Sequence, residues 1–114
     1  MPSSASHNMA MLNAKHLIEN LLSSVVKGNA SDLHITVGRH PAIRVDGGLV
    51  PLLKEEIMTP DTARDFIMAL LTAPQQERFL RDKELDLSYD FQERARFRVN
   101  LFHQRGYMGA ALRL

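Results

Sequence analysis

Arginine is the residue type in this chain best placed to do chemistry. Arg94, Arg96 and Arg98 alternate along one short stretch. In an extended strand every second side chain lies on the same face, so the three share a side. Arg44 falls on the polar side of another alternating run, in which Ile43 and Val45 take the opposite side. A guanidinium stays charged and offers a planar fork of donors that suits phosphate and carboxylate oxygens. The plain alternative is a solvated sheet face on which Arg96 pairs with Asp90. Exposed pairs contribute only ~0–1 kcal/mol, so such a face needs no function. Arg94 is read as a loop charge.

Other groupings carry less chemistry. Ser31, Asp32 and His34 could be assembled into a nucleophile, an acid and a base. All three lie in one short run, which gives poor triad geometry, and no strand-to-helix nucleophile elbow accompanies them. His34 follows Asp32 by two and shares its face, but a metal would need further ligands. His16, His40 and His103 fall on different elements. A structural or interfacial role is expected for the histidines. Asp86 and Asp90 could pose as paired carboxylates, but on a strand they face Asn100 and Arg96 and read as cross-strand partners. No G-x-x-x-x-G-K-[ST] phosphate loop occurs, and Gly47-Gly48 is too short to replace one. ATP hydrolysis is therefore not expected from this chain alone.

Bulk properties set the frame for these residues. A chain of 114 residues suits one domain with a small core. Hydrophobic residues make up 45% and charged residues 24%, with a net charge of +1, so bulk charge points to neither nucleic acid nor membrane. The absence of cysteine excludes thiolate chemistry and fits a reducing compartment. No apolar run approaches the ~20 residues that span a bilayer. Residues 1–12 lack the features of a signal peptide and are expected to form a disordered leader, with the folded domain at 13–114.

Leu17, Ile18, Leu21, Leu22, Val25 and Val26 recur at helical spacing, in a helix expected to start between Met9 and Asn13. Gly28 stands where a left-handed cap would end it. Leu33, Ile35 and Val37 alternate with Asp32, His34 and Thr36, then Ile43 and Val45 with Arg44 and Asp46. Gly38 and Pro41 punctuate the gap. Asp46-Gly47 predicts a tight hairpin and a third strand over 48–53. Thr59-Pro60-Asp61 signals a helix start, and Ala63, Phe66, Ile67, Leu70 and Leu71 mark its buried stripe. Pro74 ends that helix and starts another, running to about Asp82 with Phe79 and Leu80 inward.

Residues 85–91 and 95–101 alternate without error and form a second hairpin. A two-residue loop would oppose Tyr89 to Arg96. A three-residue loop at 92–94 opposes Phe91 to Ala95, Tyr89 to Phe97, Leu87 to Val99, Asp90 to Arg96 and Ser88 to Arg98, and that register is predicted. A last strand follows over 107–114 after a turn at 103–106. Its small residues Gly109, Ala110 and Ala111 imply close packing. Helix, three strands, two helices and three strands, with no strand–helix–strand repeat, predict an α+β fold: one antiparallel sheet of about six strands with helices on one face.

Two blocks carry a resemblance. Ser31-Asp32-Leu33-His34 followed by Ile43-Arg44-Val45-Asp46-Gly47, and Arg96-Phe97-Arg98-Val99-Asn100 further on, resemble the amino-terminal domain of the type IV pilus retraction ATPases of the PilT type. These are hexameric motors of the secretion-ATPase superfamily, and the resemblance covers residues 17–114. It implies a PAS-like domain here and an ATP-hydrolysing domain, with its phosphate loop, beyond Leu114. It implies ATP and magnesium as cofactors of the parent protein, with none held by this chain. It also implies a cytoplasmic location and partners: the nucleotide-binding domains of the same and neighbouring subunits, and the pilus machinery of the inner membrane. Neither nucleic acid nor direct membrane insertion is expected. In the superfamily, arginines of this domain reach towards nucleotide, and motif match selects Arg44, Arg98 and Arg96 in that order. The competing reading is a stand-alone PAS-like sensor or interaction module, which would need a ligand cavity between sheet and helices.

Overall fold

Local signals start and stop the elements of the computed structural model, which describes residues 4–114, with side chains from residue 8 onward. The first helix, α1 (Ser4–Lys27), begins well before the expected start between Met9 and Asn13, so residues 4–12 are helical instead of forming a leader. No proline or glycine lies between Ser4 and Gly28, and Ala5, Met9, Ala10, Met11 and Leu12 are mostly strong helix formers, so nothing halts propagation. Met9 and Leu12 stay exposed, which is why the apolar stripe gave no sign of this extension. The part of the expected leader at residues 1–3 lies outside the described residues.

The end of α1 also differs from expectation by one position. The left-handed residue is Asn29 (φ 53°), not Gly28. Ala30 N–H donates to Val25 O at 3.0 Å and Asn29 N–H to Val26 O, the two bonds of a Schellman cap. Gly28 is needed for another reason: a Cβ there would sit 2.7 Å from Ser24 O.

The first three strands are β1 (Asp32–Ile35), β2 (Ala42–Val45) and β3 (Gly48–Pro51). Asp46 and Gly47 both take positive φ, giving the tight β2–β3 turn that the Asp-Gly step predicts. Strand β3 stops at Pro51, short of the expected residue 53, although Leu52 N–H still donates to Pro41 O. Helix α2 (Pro60–Leu70) opens with Thr59 accepting from Thr62 N–H, and Pro60 begins its first turn. Helix α3 (Ala73–Asp82) opens on a capping box between Thr72 and Gln75. Phe79 of α3 is fully buried, but Leu80 points outward, a correction: one narrow stripe of α3 meets the sheet.

The last three strands are β4 (Leu85–Phe91), β5 (Ala95–Gln104) and β6 (Tyr107–Arg113). Strands β4 and β5 pair in the predicted register, with Phe91 opposite Ala95, Tyr89 opposite Phe97 and Asp90 opposite Arg96. The β5–β6 turn is tighter than expected, at Arg105-Gly106.

All six strands form one antiparallel sheet in the order β3-β2-β1-β6-β5-β4. The two ends of the chain's strand series therefore meet at the centre, where β1 pairs with β6. One face is dry. Leu33, Ile35, Phe97, Val99, Leu101, Ala110 and Leu112 pack there against Leu21, Leu22, Phe66, Ile67 and Phe79 of the helices. The opposite face carries the polar members of each alternation and no helix.

Candidate functional site: an arginine rung on the open sheet face

The pairing registers place one line of side chains straight across the open face. Leu49, Arg44, Asp32, Arg113, Arg98 and Ser88 are consecutive partners on β3, β2, β1, β6, β5 and β4. Arg44 and Arg98, predicted from different parts of the chain, thus share one rung. They are separated by Asp32 and Arg113. Arg96 lies on the same face, beyond the last residue paired on β6. It is paired with Asp90, Nε to Oδ1 at 2.8 Å, and both are largely exposed. That bond and the Asp90 charge raise the Arg96 pKa further. Arg94 sits in the β4–β5 turn.

Asp32 organises the near half of the rung. Its side chain is only 11% exposed and accepts three partners. Ser31 Oγ donates to Oδ1 at 2.5 Å, His34 Nε2 bonds Oδ2, and Arg44 Nε stands 3.4 Å from Oδ1. Burial alone would raise the Asp32 pKa. The hydrogen bonds from Ser31 and His34, with the charges of His34 and Arg44, outweigh it, so the carboxyl is held below its ordinary value. Arg44 also donates from Nη1 to Gly47 O at 3.0 Å, which folds it back onto its own hairpin. This arrangement is no hydrolytic triad. The carboxylate stands between the hydroxyl and the imidazole, so His34 has no contact through which to take the Ser31 proton.

The far half of the rung has a different character. Arg98 and Arg113 are direct cross-strand partners, both exposed. Among the described residues neither forms an ion pair. Asn100 on the next rung donates to Asp86 at 2.7 Å, so that carboxylate already has a partner. Arg98, Arg113, Asn100, Asp86 and Ala111 border an open cleft of about 350 Å³. Like charges set directly opposite repel. An anion between them would remove the repulsion and gain charge-assisted hydrogen bonds from two forks.

Arg113 is the residue that sequence reasoning missed. The signal was present: residues 107, 109, 111 and 113 share parity in the last strand. Only the β5–β6 register brings Arg113 against Arg98. The expected cross-strand pairs Asp86–Asn100 and Asp90–Arg96 do form. Among the described residues no group of three or more metal-ligating side chains converges, and no helix is long and apolar enough to cross a membrane.

No family model matches the chain. The crystal structure of the pilus retraction motor PilT with bound ADP superposes with a TM-score of 0.79 at 30% identity, covering 85% of this chain and 28% of that one. The ATPase DotB of Legionella pneumophila shares the fold, with a TM-score of 0.71 at 24% identity, covering 85% of this chain and 28% of DotB. The chain thus has the α+β fold of a domain present in the PilT motor. More particularly, the type IV pilus ATPase PilU of Pseudomonas aeruginosa is 32% identical over 95 residues, 83% of this chain and 25% of PilU. The retraction ATPase PilT of the same organism is 36% identical over 101 residues, 84% of this chain and 28% of PilT. The chain is a counterpart of the amino-terminal domain of the PilT-type ATPases. It spans about a quarter of the length of the curated relatives it matches.

Proposed function

We propose that this chain is the amino-terminal domain of a hexameric, cytoplasmic pilus-retraction ATPase. In this reading it packs on the nucleotide domain of the neighbouring subunit and moves with the ATP cycle, working with the pilus machinery of the inner membrane. The observation that supports this best is the opposed pair Arg98 and Arg113 on a helix-free face. Such a pair suits phosphate oxygens presented by another domain. Positive charge fixed there would stabilise the charge that develops in phosphoryl transfer. Magnesium and the phosphate loop would belong to that other domain. Within this chain, Arg98 and Arg113 would meet the anion, and Asp32 would hold Arg44 alongside, ready to exchange its carboxylate for phosphate. Arg96, engaged by Asp90, is the weaker candidate.

The sensor alternative is not favoured, because Phe66, Phe79 and Phe97 fill the space between sheet and helices and are fully buried. The test is the coding locus beyond Leu114. The expected result is an open frame running through a short linker into a strand and a G-x-x-x-x-G-K-[ST] loop. A stop codon directly after Leu114 would overturn the motor reading. Expressed alone, the chain is expected to show no ATP turnover, and micromolar binding with turnover would contradict that.

A further inference from the structure

A second basic feature lies at the other end of the open face, four residues along β6 from Arg113, or roughly 14 Å. Here β1 ends and the β5–β6 turn curls over, enclosing a cleft of about 370 Å³. Arg39 and Arg105 line it together with Thr36, Gln104, Tyr107 and Gly109. Both arginines are exposed, and among the described residues neither has a carboxylate within 4.0 Å.

Both arginines stand on fixed backbone. Gly38 N–H donates to Met58 O at 2.8 Å and Met58 N–H donates to Arg39 O at 2.9 Å, while the Met58 side chain is buried in the core. Arg105 occupies the first position of the two-residue turn closed by the Gln104–Tyr107 pair. Its φ is +55°, a conformation that arginine adopts at a cost and that asparagine or glycine would take more readily. The Gly109 wall is equally set. Gly109 leaves room for the ring of Phe102, which would lie 2.6 Å from an added Cβ. The cleft thus offers two cations on fixed backbone, the Thr36 hydroxyl, the Gln104 amide and the exposed ring of Tyr107.

We propose that this cleft docks an acidic peptide segment of a partner protein. Two unpaired guanidiniums supply the charge complementarity for carboxylates. The exposed Tyr107 ring separates a peptide from a free anion: a lone phosphate would leave it uncovered, whereas an aliphatic or aromatic residue between two acidic ones would pack on it. Preorganised backbone lowers the ordering cost of such binding. The inference does not rest on the motor reading, since it uses a different end of the face and no nucleotide.

The test is selection of a random dodecapeptide phage library on the immobilised chain, followed by fluorescence polarisation with the synthesised consensus peptide. Acidic residues are expected to be enriched around an apolar one. The double variant Arg39→Ala/Arg105→Asn is expected to weaken binding by about tenfold or more, and added salt to weaken it further. Asparagine suits the backbone at 105, so the variant keeps its fold, and circular dichroism verifies this. No enrichment, consensus peptides without acidic residues, or unchanged binding by the variant would each overturn the proposal. So would equal displacement of the peptide by low millimolar inorganic phosphate, which would make the cleft a simple anion site.

Discussion

Arg98 and Arg113 face each other across β5 and β6 in direct register on the helix-free side of the sheet. In the isolated domain this juxtaposition is a small liability. Replacing either residue with glutamine is expected to leave stability unchanged or raise it by up to about 1 kcal/mol, with a larger gain at low salt. Urea unfolding at low and high sodium chloride measures this. A clear loss of stability in both variants would show that the guanidiniums support the sheet and are not held apart for an anion.

Asp32 should make the domain acid-sensitive. Its folded-state pKa lies below the ordinary 3.8, so its contribution to stability is fully present above that value and is lost as pH falls through the folded-state value. Asp32→Asn removes the charge that holds His34 and Arg44 and is expected to cost about 1–3 kcal/mol at neutral pH. It should also flatten the dependence of stability on pH below about 4, where carboxylates protonate. Equal slopes for variant and parent in acid would contradict this.

Gly109 is fixed by its neighbours rather than by its backbone angles. A Cβ would meet the Phe102 ring at 2.6 Å and Ile35 O at 3.3 Å. Gly109→Ala is expected to destabilise by about 1–3 kcal/mol through overpacking. Adding Phe102→Ala should make the Gly109→Ala step less costly, because the ring is the nearer obstacle. A double-mutant cycle reads the coupling, and strict additivity would rule out the ring as the cause.

The β4–β5 turn holds two residues in a glycine-like conformation, Gln92 at φ 52° and Glu93 at φ 56°. Glu93→Gly relieves one of them. The expected gain is ~0.5–1 kcal/mol, offset in part by the greater freedom of glycine in the unfolded chain. Thermal unfolding with unchanged amide shifts in β4 and β5 would check it, and a loss of stability would mean that the Glu93 side chain contributes contacts of its own.

Most of the sheet could be read from alternation, because one-sided burial ties register to side-chain type. The β4–β5 pairing is the clearest case: only one loop length avoids setting Tyr89 against Arg96. Alternation is silent where burial does not discriminate. Met9 and Leu12 of α1 are exposed, so continuous helix propensity decided what no apolar stripe marked. Leu80 adjoins buried Phe79 in sequence, but one step round a helix turns a side chain by roughly 100° and carried it into solvent. The site was half legible. Arg44 and Arg98 stood in recognisable blocks, whereas placing Arg113 beside Arg98 needed the β5–β6 register, which the Arg105-Gly106 turn fixes and alternation alone does not.

The central pairing of β1 with β6 has a consequence for how the domain comes into being. The two hairpin groups, β1 to β3 and β4 to β6, contain only neighbours in sequence and can zip locally. Joining them closes residues 32–113 into a loop, the slow and entropically costly step. During synthesis β1 and β5 each wait with a bare inner edge until β6 has been made. A chain stalled before Tyr107 would therefore expose two unpaired strands at what becomes the middle of the sheet, and the last strand of the sheet to be translated is the one that makes the first strand safe from aggregation.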